Sequence, residues 1–147
     1  MKKAHHRLEA WQQALNLVKS IYSATASFPK SELYGLTSQM RRAAVSIPSN
    51  IAEGAAREST AEFIRFLYIA RGSLAELETQ ILIAQELGYI DVVAPIMERL
   101  DSVSAPLSGL IRSLKNRASK AGEELPAYDD LWETELTPNR NNLRIIE

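Results

Sequence analysis

A chain of 147 residues with 46% hydrophobic and 24% charged side chains has the composition of one globular domain, able to bury about 70% of its unfolded surface in a single core. It contains no cysteine, which excludes disulfides, thiolate zinc sites, iron–sulfur clusters and thiol nucleophiles. The formal net charge of −1 conceals an asymmetry: residues 1–120 carry 15 Lys/Arg against 11 Asp/Glu, a body of +4, whereas residues 121–147 carry 2 against 7, a tail of −5. The longest uninterrupted apolar run, residues 66–70, is five residues long, against about 20 for a membrane helix. The opening MKKAHHRLEAW lacks the apolar segment of a signal peptide. A cytoplasmic protein without membrane contact is expected.

Four stretches show apolar residues recurring at steps of three and four, the period of an amphipathic helix. The first runs Leu8, Trp11, Leu15, Val18, Tyr22, with Ala14 and Ile21 beside it. Pro29 ends it by removing an amide donor and restricting Phe28. The second runs Leu36, Met40, Ala43, Ile47, continuing to Ile51 and Ala55. Its small residues, Ala43, Ala44, Ser46, Ser49, Ala52 and Gly54 among them, would let a neighbouring backbone approach closely, so Gly54→Leu should disrupt packing or assembly. Pro48 should kink this helix or cost it one hydrogen bond.

The third stretch opens on Ser59-Thr60-Ala61-Glu62, a capping-box pattern. Its seam is heptad-spaced, Phe63, Leu67, Ala70, Leu74, Leu77, Ile81, Ala84, with a second row of Phe66, Ile69, Ile83 and Leu87, and it closes at Gly88. The fourth begins near Asp91, a candidate cap, and carries Val93, Ile96, Leu100, Val103, Leu107, Leu110, Leu114; Pro106 should bend it. Periodicity fails from about Ala121. Pro126, Pro138 and Asn139-Arg140-Asn141-Asn142, among seven acids, suggest a flexible tail, within which Tyr128, Leu131, Trp132 and Leu136 could dock on the body or a partner. The expected fold is all-α, an antiparallel up-and-down four-helix bundle over residues 7–120 followed by an acidic tail over 121–147.

No catalytic constellation assembles from these residues. His5 and His6 are adjacent, about 100° apart on a helix, whereas a metal pair wants i, i+4 spacing; solvent-exposed histidines in a frayed start are expected. Glu53, Glu76 and Glu78 lack the inward Glu-x-x-His pairs of carboxylate-bridged metal bundles, so neither a metal site nor a cofactor is expected. Asn50 falls three residues after Ile47 on the second seam, where a buried amide would have to find partners; it could fix helix register or, as the alternative, contact a ligand. Arg41, Arg42, Arg57, Arg65 and Arg71 lie on the second and third helices or between them and face only Glu53, Glu58 and Glu62 within residues 36–72. If several share one face they form a basic patch able to hold phosphates. The alternative is that they are solvated or salt-bridged. The acidic tail could compete with nucleic acid for such a patch.

The run ELYGLTSQMRRAAVSIPSNIAEG over residues 32–54 resembles the signature of the four-helix-bundle proteins encoded in intervening sequences of bacterial 23S ribosomal RNA genes. FIRFLYIARGSL over 63–74, ELETQ over 76–80, LGYI over 87–90 and AWQQA over 10–14 continue the resemblance, which covers about residues 7–117. It implies a bundle assembling as a ring-shaped homopentamer without known enzyme activity. It also implies similarity to the accessory variability proteins of diversity-generating retroelements, which bind a reverse transcriptase and nucleic acid through basic surfaces. Two functions follow as expectations. One is a non-enzymatic oligomer binding structured RNA or a ribonucleoprotein through the five arginines; the other is a homo-oligomeric protein-interaction scaffold.

Overall fold

The computed structural model describes residues 3–125. A 3-10 turn at Ala4–Arg7 leads into α1 (Glu9–Thr25); a second at Lys30–Glu32 precedes α2 (Leu36–Ala55), which is followed by α3 (Thr60–Glu86) and α4 (Ala94–Ala121). Each helix packs on the one before it, and α1 closes the ring against α4. Short connections between helices in contact make each neighbouring pair antiparallel, so the arrangement is the up-and-down bundle that the four periodic stretches predict. The expected tail beyond Leu125 lies outside the described residues.

The helix ends are set by local chemistry. The Glu32 carboxylate accepts a 2.8 Å hydrogen bond from the Leu36 amide, which caps α2 where Gly35 offers no side chain. Ser59 Oγ accepts from the Glu62 amide at 3.1 Å, half of the expected capping box. The reciprocal half is replaced, since the Glu62 carboxylate lies 3.5 Å from Arg65. Gly88, with φ of 77°, ends α3 in the left-handed turn. Asp91 does not cap α4, because the helix starts at Ala94 with Val93 at the cap position and Pro95 in the first turn. Both α2 and α4 run unbroken through their internal prolines. Pro48 and Pro106 therefore each remove one backbone hydrogen bond without ending the helix.

The core is one cluster drawn from all four helices. On α2, Leu36, Met40, Ala43, Ile47 and Ile51 are buried as expected, and on α3 so are Leu67, Ala70, Leu74, Leu77, Ile81 and Ala84. On α4, Leu100, Val103, Leu107 and Leu114 are buried, joined by Ile111 and Ala118, while Leu110 is only partly so. The phase of α1 departs from expectation. Its buried face is Ala10, Ala14, Leu17, Ile21 and Thr25, whereas Leu15 and Tyr22 are 40% and 43% exposed. Both rows have helical spacing, but only the row containing Ala10 and Ala14 is thin enough for α1 to sit close to two neighbouring helices while its larger members, Leu17 and Ile21, fill the centre.

α2 and α3 approach tightly at Gly54. A Cβ at Gly54 would meet Phe66 Cβ at 2.7 Å and Phe63 Cδ2 at 2.9 Å, so even one methyl group forces the hairpin apart. Gly72, exposed on α3, would place a Cβ in open space. Gly54→Ala should therefore lose about 1–3 kcal/mol to overpacking, while Gly72→Ala should gain up to about 1 kcal/mol from helix propensity. Urea denaturation of the two variants checks this, and equal stabilities would show that contact at Gly54 is not a constraint.

Candidate nucleic-acid interface

The five arginines do not share one face. Arg41 is turned onto α1: its Nε donates to Thr25 Oγ1 at 2.9 Å and its guanidinium lies 4.5 Å from the Tyr22 ring centroid. The Thr25 hydroxyl in turn donates to the Ile21 carbonyl at 2.7 Å. Arg41 is thus a pin between α1 and α2. Arg42, its neighbour, points instead to exposed surface beside Tyr34, Ser38, Ser46, Ser73 and Glu76.

Arg57 and Arg65 meet at the α2–α3 turn over one ring. Their guanidinium carbons lie 4.9 and 5.0 Å from the centroid of Phe66, and each is also held by a carboxylate one turn away, Glu53 at 2.9 Å and Glu62 at 3.5 Å. Their side chains remain 46% and 48% exposed, so these are solvent-screened pairs of small energetic weight. Fifteen residues separate Arg42 from Arg57, about 22 Å along a helix; the two groups occupy different ends of the bundle. Arg71 faces the other flank of α3, 4.5 Å from the Tyr68 ring centroid, with Lys115 of α4 at 5.4 Å from the same ring.

Asn50 is not in the core seam. It is partly buried on the flank of α2 toward α3, where Nδ2 donates to the Ser46 carbonyl at 2.8 Å and to Ser46 Oγ at 2.9 Å. Ser46 Oγ lies 2.9 Å from Ser73 Oγ across the helix pair. A step of three residues rotates 300°, which carries position 50 about 60° away from Ile47 and off the apolar seam. Register between α2 and α3 is held by this amide and hydroxyl relay. The deeply buried amide is Gln80, 5% exposed, which donates from Nε2 to Glu76 at 3.1 Å; its Oε1 has no hydrogen-bond partner.

Sequence reasoning missed the most basic helical surface. Between Asp101 and Glu123 the chain holds Arg112, Lys115, Arg117 and Lys120 and no acid. Folded into α4, Gly109, Arg112, Ser113, Asn116, Arg117 and Lys120 line one shallow exposed depression, and nothing stands within 4 Å of where a Gly109 side chain would begin. The two ion pairs found among the described residues are those of Arg57 and Arg65, so Arg112, Arg117 and Lys120 keep their charge unneutralised. The tyrosine shared by Arg71 and Lys115 extends this surface onto α3. The legible signal was the acid-free run, masked by an apolar seam of ordinary spacing.

The histidines also differ from expectation. The His6 and His5 rings lie 5.0 and 5.2 Å from the Trp11 ring, so the 3-10 turn is anchored on α1 rather than frayed. Desolvation, aided by the charges of His6 and Lys3, holds the His5 imidazole below the ordinary value of 6.5. Among the described residues, no group of three or more His, Asp or Glu is placed to hold a metal ion. No helix there is long and apolar enough to cross a membrane.

A family model for the 23S rRNA-intervening sequence protein matches residues 6–109. The chain belongs to that family. Comparison with curated proteins yields no match. The family match takes in Arg41, Arg42, Asn50, Arg57, Arg65 and Arg71 and stops at Gly109, short of Arg117, to which the resemblance in sequence extended. The basic half of α4 therefore lies beyond the matched region.

The two adjacent arginines make a direct comparison. Arg41→Ala should cost about 1–2 kcal/mol through the lost charged hydrogen bond and ring contact; Arg42→Ala should stay within about 0.5 kcal/mol. Thermal unfolding of both variants measures the difference, and indistinguishable midpoints would remove the pinning role.

Proposed function

We propose that this member of the 23S rRNA-intervening sequence protein family is a non-enzymatic, homo-oligomeric bundle that holds the phosphate backbone of structured RNA on the basic surface of α4 and its continuation onto α3. The observation that carries the reading is the set Arg112, Arg117 and Lys120 around the Gly109 depression, without a carboxylate partner among the described residues, joined through Tyr68 to Lys115 and Arg71. Serine and asparagine side chains between the cations supply the neutral donors that accompany phosphate contacts. Base readout plays little part, because the aromatic rings here carry guanidinium groups and support packing. Arg57 and Arg65, half-exposed at the same end of the bundle, extend the positive field but bring their own carboxylates with them.

A second reading, the homo-oligomeric interaction scaffold, is favoured by a different observation. Leu15 and Tyr22 of α1, Leu33 and Tyr34 of the connector and Val45 of α2 are all exposed, Tyr34 at 95%. Tyr22, Leu33, Tyr34 and Val45 line one depression with Arg41 and Arg42. Apolar surface of this kind suits contact between protein subunits. The two readings are compatible if assembly uses the α1–α2 side and RNA the α3–α4 side.

Titration of a labelled RNA hairpin at about 50 and 200 mM salt tests the RNA reading. Each phosphate contact should weaken binding about threefold across that interval. The Arg112→Gln/Lys120→Gln double variant should bind more weakly and lower the salt slope by about two, whereas Arg42→Gln should change little. Absence of binding at low salt would overturn the RNA reading in favour of the scaffold. A monomeric mass by light scattering would overturn the oligomer in both.

A further inference from the structure

α4 ends in a left-handed turn that is closed by a backbone hydrogen bond and an apolar contact. Gly122 takes the left-handed conformation with φ of 70°, the Glu123 amide donates to the Ala118 carbonyl at 2.9 Å, and Leu125 packs against the core. The chain that follows, residues 126–147, carries Asp129, Asp130, Glu133 and Glu135 within seven positions, without a basic residue among them. We infer that the outer face of α4, from Gly109 to Lys120, is the docking surface for this chain's own acidic segment 129–135.

Charge complementarity and chain length support the assignment. The surface from residue 102 to 122 holds four cations and no anion, and residues 121–147 hold 2 Lys/Arg against 7 Asp/Glu. Arg112 and Lys120 are eight residues apart on α4, about 12 Å. Asp129 and Glu135 follow Leu125 by four and ten residues, a reach of up to about 14 and 34 Å for extended chain. A segment following Leu125 is therefore long enough to reach every cation from Lys120 to Arg112. Arg112, Arg117 and Lys120 have no carboxylate partner among the described residues, and their exposure leaves them free to accept one. The contact is electrostatic and surface-exposed, so it is weak, salt-sensitive and displaceable. Its consequence for RNA rests on the function proposed above: the acidic segment would occupy the same cations as phosphate. The docking itself does not depend on that function.

Zero-length carbodiimide crosslinking of the full chain, mapped by mass spectrometry, tests the docking. Links from Asp129, Asp130, Glu133 or Glu135 to Lys115 or Lys120, within a single chain and lost at about 500 mM salt, are the expected result. Links directed instead to Lys19 or Lys30, links only between chains, or none at low salt would overturn it. The second arm compares RNA binding of the natural chain with a full-length variant carrying Asp129→Asn, Asp130→Asn, Glu133→Gln and Glu135→Gln. The neutralised variant should bind the hairpin about tenfold more tightly at 50 mM salt. Crosslinks present with no RNA binding by either protein would keep the docking and overturn the RNA function. Equal RNA binding by both with no crosslinks would overturn the docking and keep the function.

Discussion

Phe66 and Phe63 stand where any side chain at position 54 would have to go, and the separation of α2 from α3 follows from that fact. With a Cβ at Gly54 only 2.7 Å from Phe66 Cβ, a side chain there would wedge the hairpin open. With glycine, the two helices approach until small residues along the contact meet. The hydroxyls of Ser46 and Ser73 come within 2.9 Å, and Asn50 closes the relay on Ser46. The same approach places Phe66 under the turn, where its ring receives both Arg57 and Arg65. One glycine thus sets helix separation, polar register and the position of two cations.

Charge in this bundle is arranged by aromatic platforms as much as by carboxylates. Tyr22 receives Arg41, Phe66 receives Arg57 and Arg65, and Tyr68 receives Arg71 and Lys115. A guanidinium laid on a ring keeps its charge and much of its hydration while its alkyl stem covers apolar surface. The body can therefore carry cations on helices that also have to pack. On α4 the arrangement is simpler. Its last turns have Arg117 and Lys120 near the negative end of the helix dipole, a favourable placement that leaves their outer faces open to a polyanion.

Much of the architecture was legible because apolar spacing is a backbone property. The seams of α2, α3 and α4 point inward nearly as their residues indicate, and Ser59 and Gly88 mark ends that depend on one side chain or one φ angle. Asp91 misled because a capping residue type is common in connectors, and the helix began three residues later. The candidate site was less readable. Arg41 and Arg42 are identical in type and adjacent, yet one is locked to Thr25 and the other exposed, because successive positions on a helix differ by 100°.

The amino-acid sequence by itself determined that the chain makes four amphipathic helices, where most of them start and stop, and to which family it belongs, since these depend on residue type and short-range spacing. Only the tertiary structure decided which of two equally periodic rows of α1 faces inward. That choice turns on whether Ala10 and Ala14 or Leu15 and Tyr22 leave room for two neighbouring helices. It also decided which cations find partners among the described residues. Arg41, Arg57 and Arg65 find partners on neighbouring turns and helices, while Arg112, Arg117 and Lys120 gather on one open face, and such pairing is a matter of distance in space that no spacing along the chain specifies.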